Sequence, residues 1–254
     1  GLNPSILLIL QQLVELLREI KCNEIKQTEF DISLNLLKEQ SRSMKGWMDG
    51  NNNTSKDTKI YFPVIEKNEK AFGNGFLESI DIEIKNGETK FHISPSEYEN
   101  DEQLEKQIEL CFNAALGYCK KYIRKVKSSH TVYLHFEKRL GLYAGNSLGI
   151  ALTLAFIEAL LKYYNSATVI NVSSPIAVTG GIDNNSKILS TSKVIIGMKV
   201  ESVFYSDARI FCVPKVDEIW AEEKLKELNE HFPKRDLKII GLTDLNDLLD
   251  RRQI

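Results

Sequence analysis

The chain has 254 residues, 43% of them hydrophobic and 27% charged, with a formal net charge of -2. That length holds one large domain, or one domain with a smaller appendage. So mild a charge excludes the polybasic surface of a dedicated nucleic-acid binder, and no direct nucleic-acid contact is expected. The four cysteines (Cys22, Cys111, Cys119, Cys212) follow no CxxC spacing, and the four histidines (His92, His130, His135, His231) no HExxH spacing. No metal or other cofactor is therefore expected, and the scattered cysteines suit a reduced, cytoplasmic protein. The leucine-rich run 6–17 is interrupted by Gln11, Gln12 and Glu15 and is too short to cross a bilayer, so no membrane association is expected.

Residues 1–50 read as a helical N-terminal segment. Asn3 can cap a helix whose first turn holds Pro4, and Ile6, Leu10, Leu13, Leu17 and Ile20 recur at three- and four-residue spacing. A second helix over 28–44 carries Phe30, Leu34 and Leu37 on one side. This pair either packs on the main body or offers an interface to another subunit or an upstream domain. Residues 51–58 follow as a polar linker, and the main domain spans 59–254.

Within that domain the spacing predicts strands over 59–65 and 76–84, then a hairpin turn at Asn86-Gly87 into a strand over 90–93. A helix over 102–126 bears Leu104, Ile108, Cys111, Ala115 and Cys119 on one face, and a strand over 131–136 follows. Residues 150–164 are apolar nearly all round, which predicts a buried helix. Further strands are predicted over 175–179, 187–189, 209–213 and 237–240. Helices are predicted over 193–205 and 216–230, and Thr243 is the expected cap of a closing helix. Strands and helices intermix without βαβ repetition, which points to an α/β domain with a mixed sheet and packed helices.

Two features carry chemistry. Ser147 lies between Gly145 and Gly149 where a loop meets the apolar helix, so the backbone can bend tightly and amides at the helix start can face an oxyanion. The plain alternative is a helix N-cap serine. Lys199 projects on the same helical face as Ile195, Ile196 and Val203. An amine on such a face either snorkels to water or is desolvated, and desolvation makes it a base near neutral pH. A serine hydroxyl beside a neutral lysine is a hydrolytic pair. Lys187 and Lys193 are weaker candidates for the same role.

With these residues the sequence resembles the proteolytic domain of Lon proteases, serine–lysine endopeptidases usually joined to an ATP-driven unfolding module. The resemblance runs from about Tyr61 to the C-terminus. It rests on the opening run Gly73-Asn74-Gly75-Phe76-Leu77-Glu78-Ser79-Ile80-Asp81-Ile82-Glu83-Ile84, on the strand ending in His135, on the Gly145-x-Ser147-x-Gly149 turn, on Thr179-Gly180-x-Ile182, and on the turn–helix–strand that ends at Pro214. It implies a Lon proteolytic-domain-like, ribosomal-protein-S5-domain-2-like fold and a catalytic Ser147–Lys199 dyad. It implies supporting roles for Thr179 and His135, and an oxyanion site built on the backbone at Gly145 and Asn146. A protein or peptide substrate, a homo-oligomer, and an upstream ATPase or sensor domain as partner follow from it too. The departures are an alanine, Ala144, where the family has aspartate, Gly181 where it has glutamate, Ser192-Lys193 in place of a glycine pair, and an insertion around 167–173. No GxxxxGK[ST] phosphate loop is present, so the implied activity is ATP-independent in this chain. An inactive Lon-like scaffold is the alternative that these departures suggest. A small-molecule kinase of the related fold is a more remote one, carried only by the glycine-containing run 141–147.

Overall fold

The computed structural model describes residues 60–67, 72–94, 101–127, 129–136, 146–166, 175–183, 187–231 and 236–249. The expected helical segment 1–50, the linker 51–58 and the insertion 167–173 lie outside them. Nine strands and five α-helices are described: β1 (Ile60–Lys67), β2 (Phe72–Asn86), β3 (Lys90–Ser94), α1 (Glu102–Cys119), β4 (His130–Phe136), α2 (Gly149–Tyr163), β5 (Ile176–Val178), β6 (Gly181–Ile182), β7 (Ile188–Leu189), α3 (Lys193–Phe204), β8 (Ile210–Pro214), α4 (Glu218–His231), β9 (Lys238–Leu242) and α5 (Leu245–Leu249). Seven strands form one mixed sheet in the order β3-β4-β2-β1-β5-β8-β9, while β6 and β7 pair separately. The α/β class with a mixed sheet and packed helices is thus the observed architecture.

Period-two alternation sets the two faces of the sheet. In β4, Val132, Leu134 and Phe136 are buried while Tyr133 and His135 are exposed. In β5, Ile176 and Val178 join the core formed with α1 and α2, whereas Ala177 joins a second core with α3 and α4. The helix α2 is buried at every residue from Gly149 to Ile157, and again at Leu160 and Leu161, as its unbroken apolar composition requires. Helices therefore cover the β1-β5-β8 region on both sides, and the candidate residues lie where the second core meets the start of α2.

Three local expectations are corrected. The dipeptide Asn86-Gly87 does not make a hairpin: β4 inserts between β2 and β3, antiparallel to the first and parallel to the second. Neither residue takes the positive φ that a two-residue type I′ turn needs. Instead the Glu88 carbonyl accepts a hydrogen bond from Thr131 Oγ1 at the start of β4. Helix α1 stops at Cys119 rather than 126, because its buried face ends there and the next turn brings Lys120, Lys121, Arg124 and Lys125. The last helix is capped by Asp244, not Thr243. Asp244 Oδ1 accepts from the amides of Asn246 and Asp247 at 2.7 and 3.2 Å, while Asp247 Oδ2 accepts from the Thr243 and Asp244 amides.

The N-cap of α1 is a direct test of this local reading. Asp101 Oδ1 accepts from the Gln103 and Leu104 amides, each at 3.0 Å. Asp101→Ala is expected to lower unfolding free energy by about 1 kcal/mol, measured by urea denaturation, and Asp101→Asn by less.

Candidate active site

The site begins with backbone. At the end of β5, the Thr179 amide donates to the Cys212 carbonyl of β8 at 2.9 Å, continuing the sheet. The chain then turns at Gly180, whose φ of +134° is open to glycine and closed to residues with a Cβ. From there the Gly180 amide donates to the Ser147 carbonyl, and the Ile150 amide donates to the Gly180 carbonyl, both at 3.0 Å. This pair of bonds fastens the 3₁₀ turn Asn146–Leu148 to the end of β5.

Ser147 is not the N-cap of α2. That position is Leu148, which makes no side-chain capping bond. The serine stands one residue earlier, half-buried, with its hydroxyl directed elsewhere. Its partner is Lys199: Nζ lies 2.7 Å from Ser147 Oγ and 2.8 Å from Thr179 Oγ1. Thr179 is fully buried, and its hydroxyl lies 3.5 Å from the Ser147 carbonyl. Serine, lysine and threonine thus close a small ring of polar contacts in an otherwise apolar setting.

Helix α3 brings the lysine there. Ser192 caps it, accepting from the Ile195 amide. Ile196, Val200 and Val203 are fully buried, and Lys199 shares their face with only 3% of its surface exposed. The reach of four methylenes is spent inside the protein, not in snorkelling to water. Burial in this setting disfavours the ammonium and pulls the Lys199 pKa down from 10.5 to about 7, while the Asp217 carboxylate opposes part of that shift. The amine is thereby brought to where it exchanges protons near neutrality. A neutral amine has one lone pair to accept the Ser147 hydroxyl proton and N–H groups to give to Thr179.

Other candidates fall elsewhere. His135 is exposed on β4, opposite Asp81 of β2 in register, and makes no hydrogen bond to the serine, lysine or threonine. Strand alternation accounts for this, since Leu134 and Phe136 take the core face. Gly145 and the side chain of Asn146 lie outside the described residues, while the Asn146 backbone opens the 3₁₀ turn. Lys193 is exposed and pairs with Glu223 at 3.2 Å, and Lys187 is exposed beside Asp183. Asp217 is a residue that sequence reasoning missed. A fully buried carboxylate, it acts on the lysine electrostatically without an ion pair to it. Its position in a Val216-Asp217-Glu218 run gives no signal of burial.

Among the described residues no group of histidine, cysteine, aspartate or glutamate side chains could hold a metal ion, and no helix is long and apolar enough to cross a membrane. No protein-family model matches the chain, and no curated protein matches it.

The close approach behind the site sets a structural test. A Cβ at Gly149 would sit 2.7 Å from the Ile182 backbone nitrogen and 3.1 Å from the Gly181 carbonyl carbon, with no flexible side chain to give way. Gly149→Ala is expected to cost about 2–4 kcal/mol of stability, read by chemical denaturation. Gly117→Ala serves as the control: its Cβ would meet nothing within 4 Å, and it should be neutral or slightly stabilising.

Proposed function

We propose that this chain is a Lon-like serine endopeptidase that hydrolyses peptide bonds with a Ser147–Lys199 dyad and without ATP. The observation that carries the reading is the buried lysine amine 2.7 Å from a half-buried serine hydroxyl, with its pKa brought to about 7. A lysine placed only for packing gains nothing from losing its charge, whereas a base for serine needs that loss.

The chemistry follows from the geometry. Neutral Lys199 takes the Ser147 Oγ proton as the oxygen attacks a peptide carbonyl, and the new C–O bond gives a tetrahedral oxyanion. Collapse breaks the C–N bond, with the Lys199 ammonium giving its proton to the departing amine. The acyl-serine is then hydrolysed by a water that Lys199 deprotonates in turn, and the proton returns to Ser147. Thr179 receives an N–H from the lysine and so aims its lone pair at the serine. Apolar walls weaken the ammonium, so that the free base is regained near neutral pH between cycles.

A protein or peptide is the substrate in this reading, and the working form is a homo-oligomer. An ATPase or sensor domain, if one acts with it, would be the partner that delivers substrate. A cytoplasmic setting suits the three described cysteines, Cys111, Cys119 and Cys212, all free and buried. The inactive-scaffold alternative separates from this reading by experiment.

A fluorophosphonate probe is expected to label Ser147, located by mass spectrometry, and casein cleavage should run in parallel. Lys199→Ala should lower both by on the order of 1000-fold or more, as Ser147→Ala does, and the double variant should be no worse. Thr179→Val should cost about tenfold, the worth of one positioning hydrogen bond. Because the lysine pKa is depressed and the neutral amine is the active form, the rate should rise with pH and reach half its plateau near pH 7. Below that it should fall about tenfold per pH unit. Full labelling in Lys199→Ala, or none in the wild type at any pH, would turn the reading toward a scaffold.

A further inference from the structure

Asp217 has no place in the proton transfers just described, yet it is fully buried. It closes the 3₁₀ turn Lys215–Asp217 that joins β8 to α4. Burying a carboxylate is costly unless donors surround it. Here Oδ2 accepts from the Thr191 amide at 2.7 Å and the Thr191 hydroxyl at 3.0 Å, and Oδ1 lies 2.5 Å from the Ser190 hydroxyl, which also lies 2.8 Å from the Thr191 carbonyl. These partners are 26 and 27 residues away in sequence, and they directly precede Ser192, the cap of α3. The carboxylate therefore joins the lead-in of the lysine helix to the turn after β8.

The geometry points to Asp217 as a positioning residue that clamps the start of α3 and lends the buried Lys199 amine a counter-charge without bonding to it. The inference rests on the serine–lysine reading for its functional consequence, but its physical content is independent of catalysis. Three donors on one carboxylate fix where the 190–192 segment sits, and α3 runs from there as a rigid rod to Lys199. Among the described residues the amine bonds to the hydroxyls of Ser147 and Thr179 and not to the carboxylate, which therefore acts through space.

The other charged groups around the lysine are differently placed. On α3 and α4, Lys193 pairs with Glu223, and Lys224 lies 3.9 Å from Glu201 and 2.9 Å from Glu227, at the surface. On β2, Glu78 is buried, but it alternates with Leu77 and pairs in register with Phe62 of the α1/α2 core. The turn Asn146–Leu148 and the β5–β6 turn bring no charged residue. Among the described residues, Asp217 is the carboxylate that works against the desolvation of the amine. Total desolvation with no counter-charge would leave a lysine too weakly basic to hold the serine proton.

Two variants divide the roles. Asp217→Asn keeps an oxygen for Thr191 but removes the charge. Thr191→Val keeps the charge and the backbone donor but removes one arm of the clamp. The Lys199 titration is followed by NMR on protein carrying lysine labelled with carbon-13 at Cε, its signal assigned by loss in Lys199→Met. In Asp217→Asn the midpoint is expected to fall by about half a pH unit or more, with the pH profile of Ser147 labelling moving the same way. In Thr191→Val the midpoint is expected to stay while the Ile196 amide, bonded to the Ser192 carbonyl at 2.9 Å, exchanges with solvent about fivefold faster or more. An unmoved or raised lysine midpoint in Asp217→Asn overturns the counter-charge, and unchanged Ile196 exchange in Thr191→Val overturns the clamp. A moved midpoint in a protein whose Ser147 never labels would instead uphold this inference and remove the peptidase reading.

Discussion

Burial of one amine organises the centre of this molecule. With only 3% of its surface open to solvent, Lys199 is poorly placed to hold a charge, and its affinity for a proton falls. A neutral amine still has a lone pair and N–H groups to satisfy. Hydroxyls suit that task, since each can both donate and accept, and among the described residues those within reach belong to Ser147 and Thr179. A carboxylate in the same place would have held the lysine as an ammonium. The polar triplet is thus matched to the amine's charge state, and the backbone around it is shaped to hold that triplet.

That shaping explains where the glycines fall. The Ser147 turn and the Thr179 turn come from segments 32 residues apart, and they approach until amide meets carbonyl on both sides of Gly180. Gly149 presents its bare Cα to the Gly181–Ile182 backbone, and Gly180, besides its positive φ, lacks the Cβ that would meet Ile150 and Pro214. Cys111 Sγ and Thr153 Oγ1 both bond to the Gly149 carbonyl, at 3.4 and 2.8 Å, tying α1 and α2 to the same point. Core packing and site geometry are one set of contacts here, so a methyl group added at the turn would be felt in both.

What could be read in the sequence follows from how local each signal is. Val132, Leu134 and Phe136 alternate with polar neighbours, so β4 and the outward side of His135 follow from pattern alone; assigning that histidine to the site required the family resemblance, and the pattern was the better guide to its contacts. The unbroken apolar run of α2 and the single lysine on the apolar face of α3 were equally visible. Asn86-Gly87 misled because a turn dipeptide describes a local reversal, whereas the lane beside β2 was taken by β4, a strand more than forty residues on. Asp217 was hidden for a related reason. Its sequence neighbours Val216 and Ile219 are 64% and 61% exposed, so nothing nearby marks it as buried, and its partners are set by the tertiary fold.

The opposition between burial and Asp217 bears on why a lysine can act as a base at all. Desolvation alone has no natural stopping point: the drier the amine, the lower its affinity for a proton, until it can no longer take one from a serine. A carboxylate in direct contact would err the other way and hold the proton permanently. Set behind the lead-in of the helix, with its own oxygens occupied by Ser190 and Thr191, Asp217 is kept from forming that contact while its field still reaches the amine. The Coulomb attraction falls gently with distance whereas a hydrogen bond does not. A carboxylate that does not bond to the amine can therefore adjust the lysine's proton affinity while leaving its nitrogen 2.7 Å from the Ser147 hydroxyl.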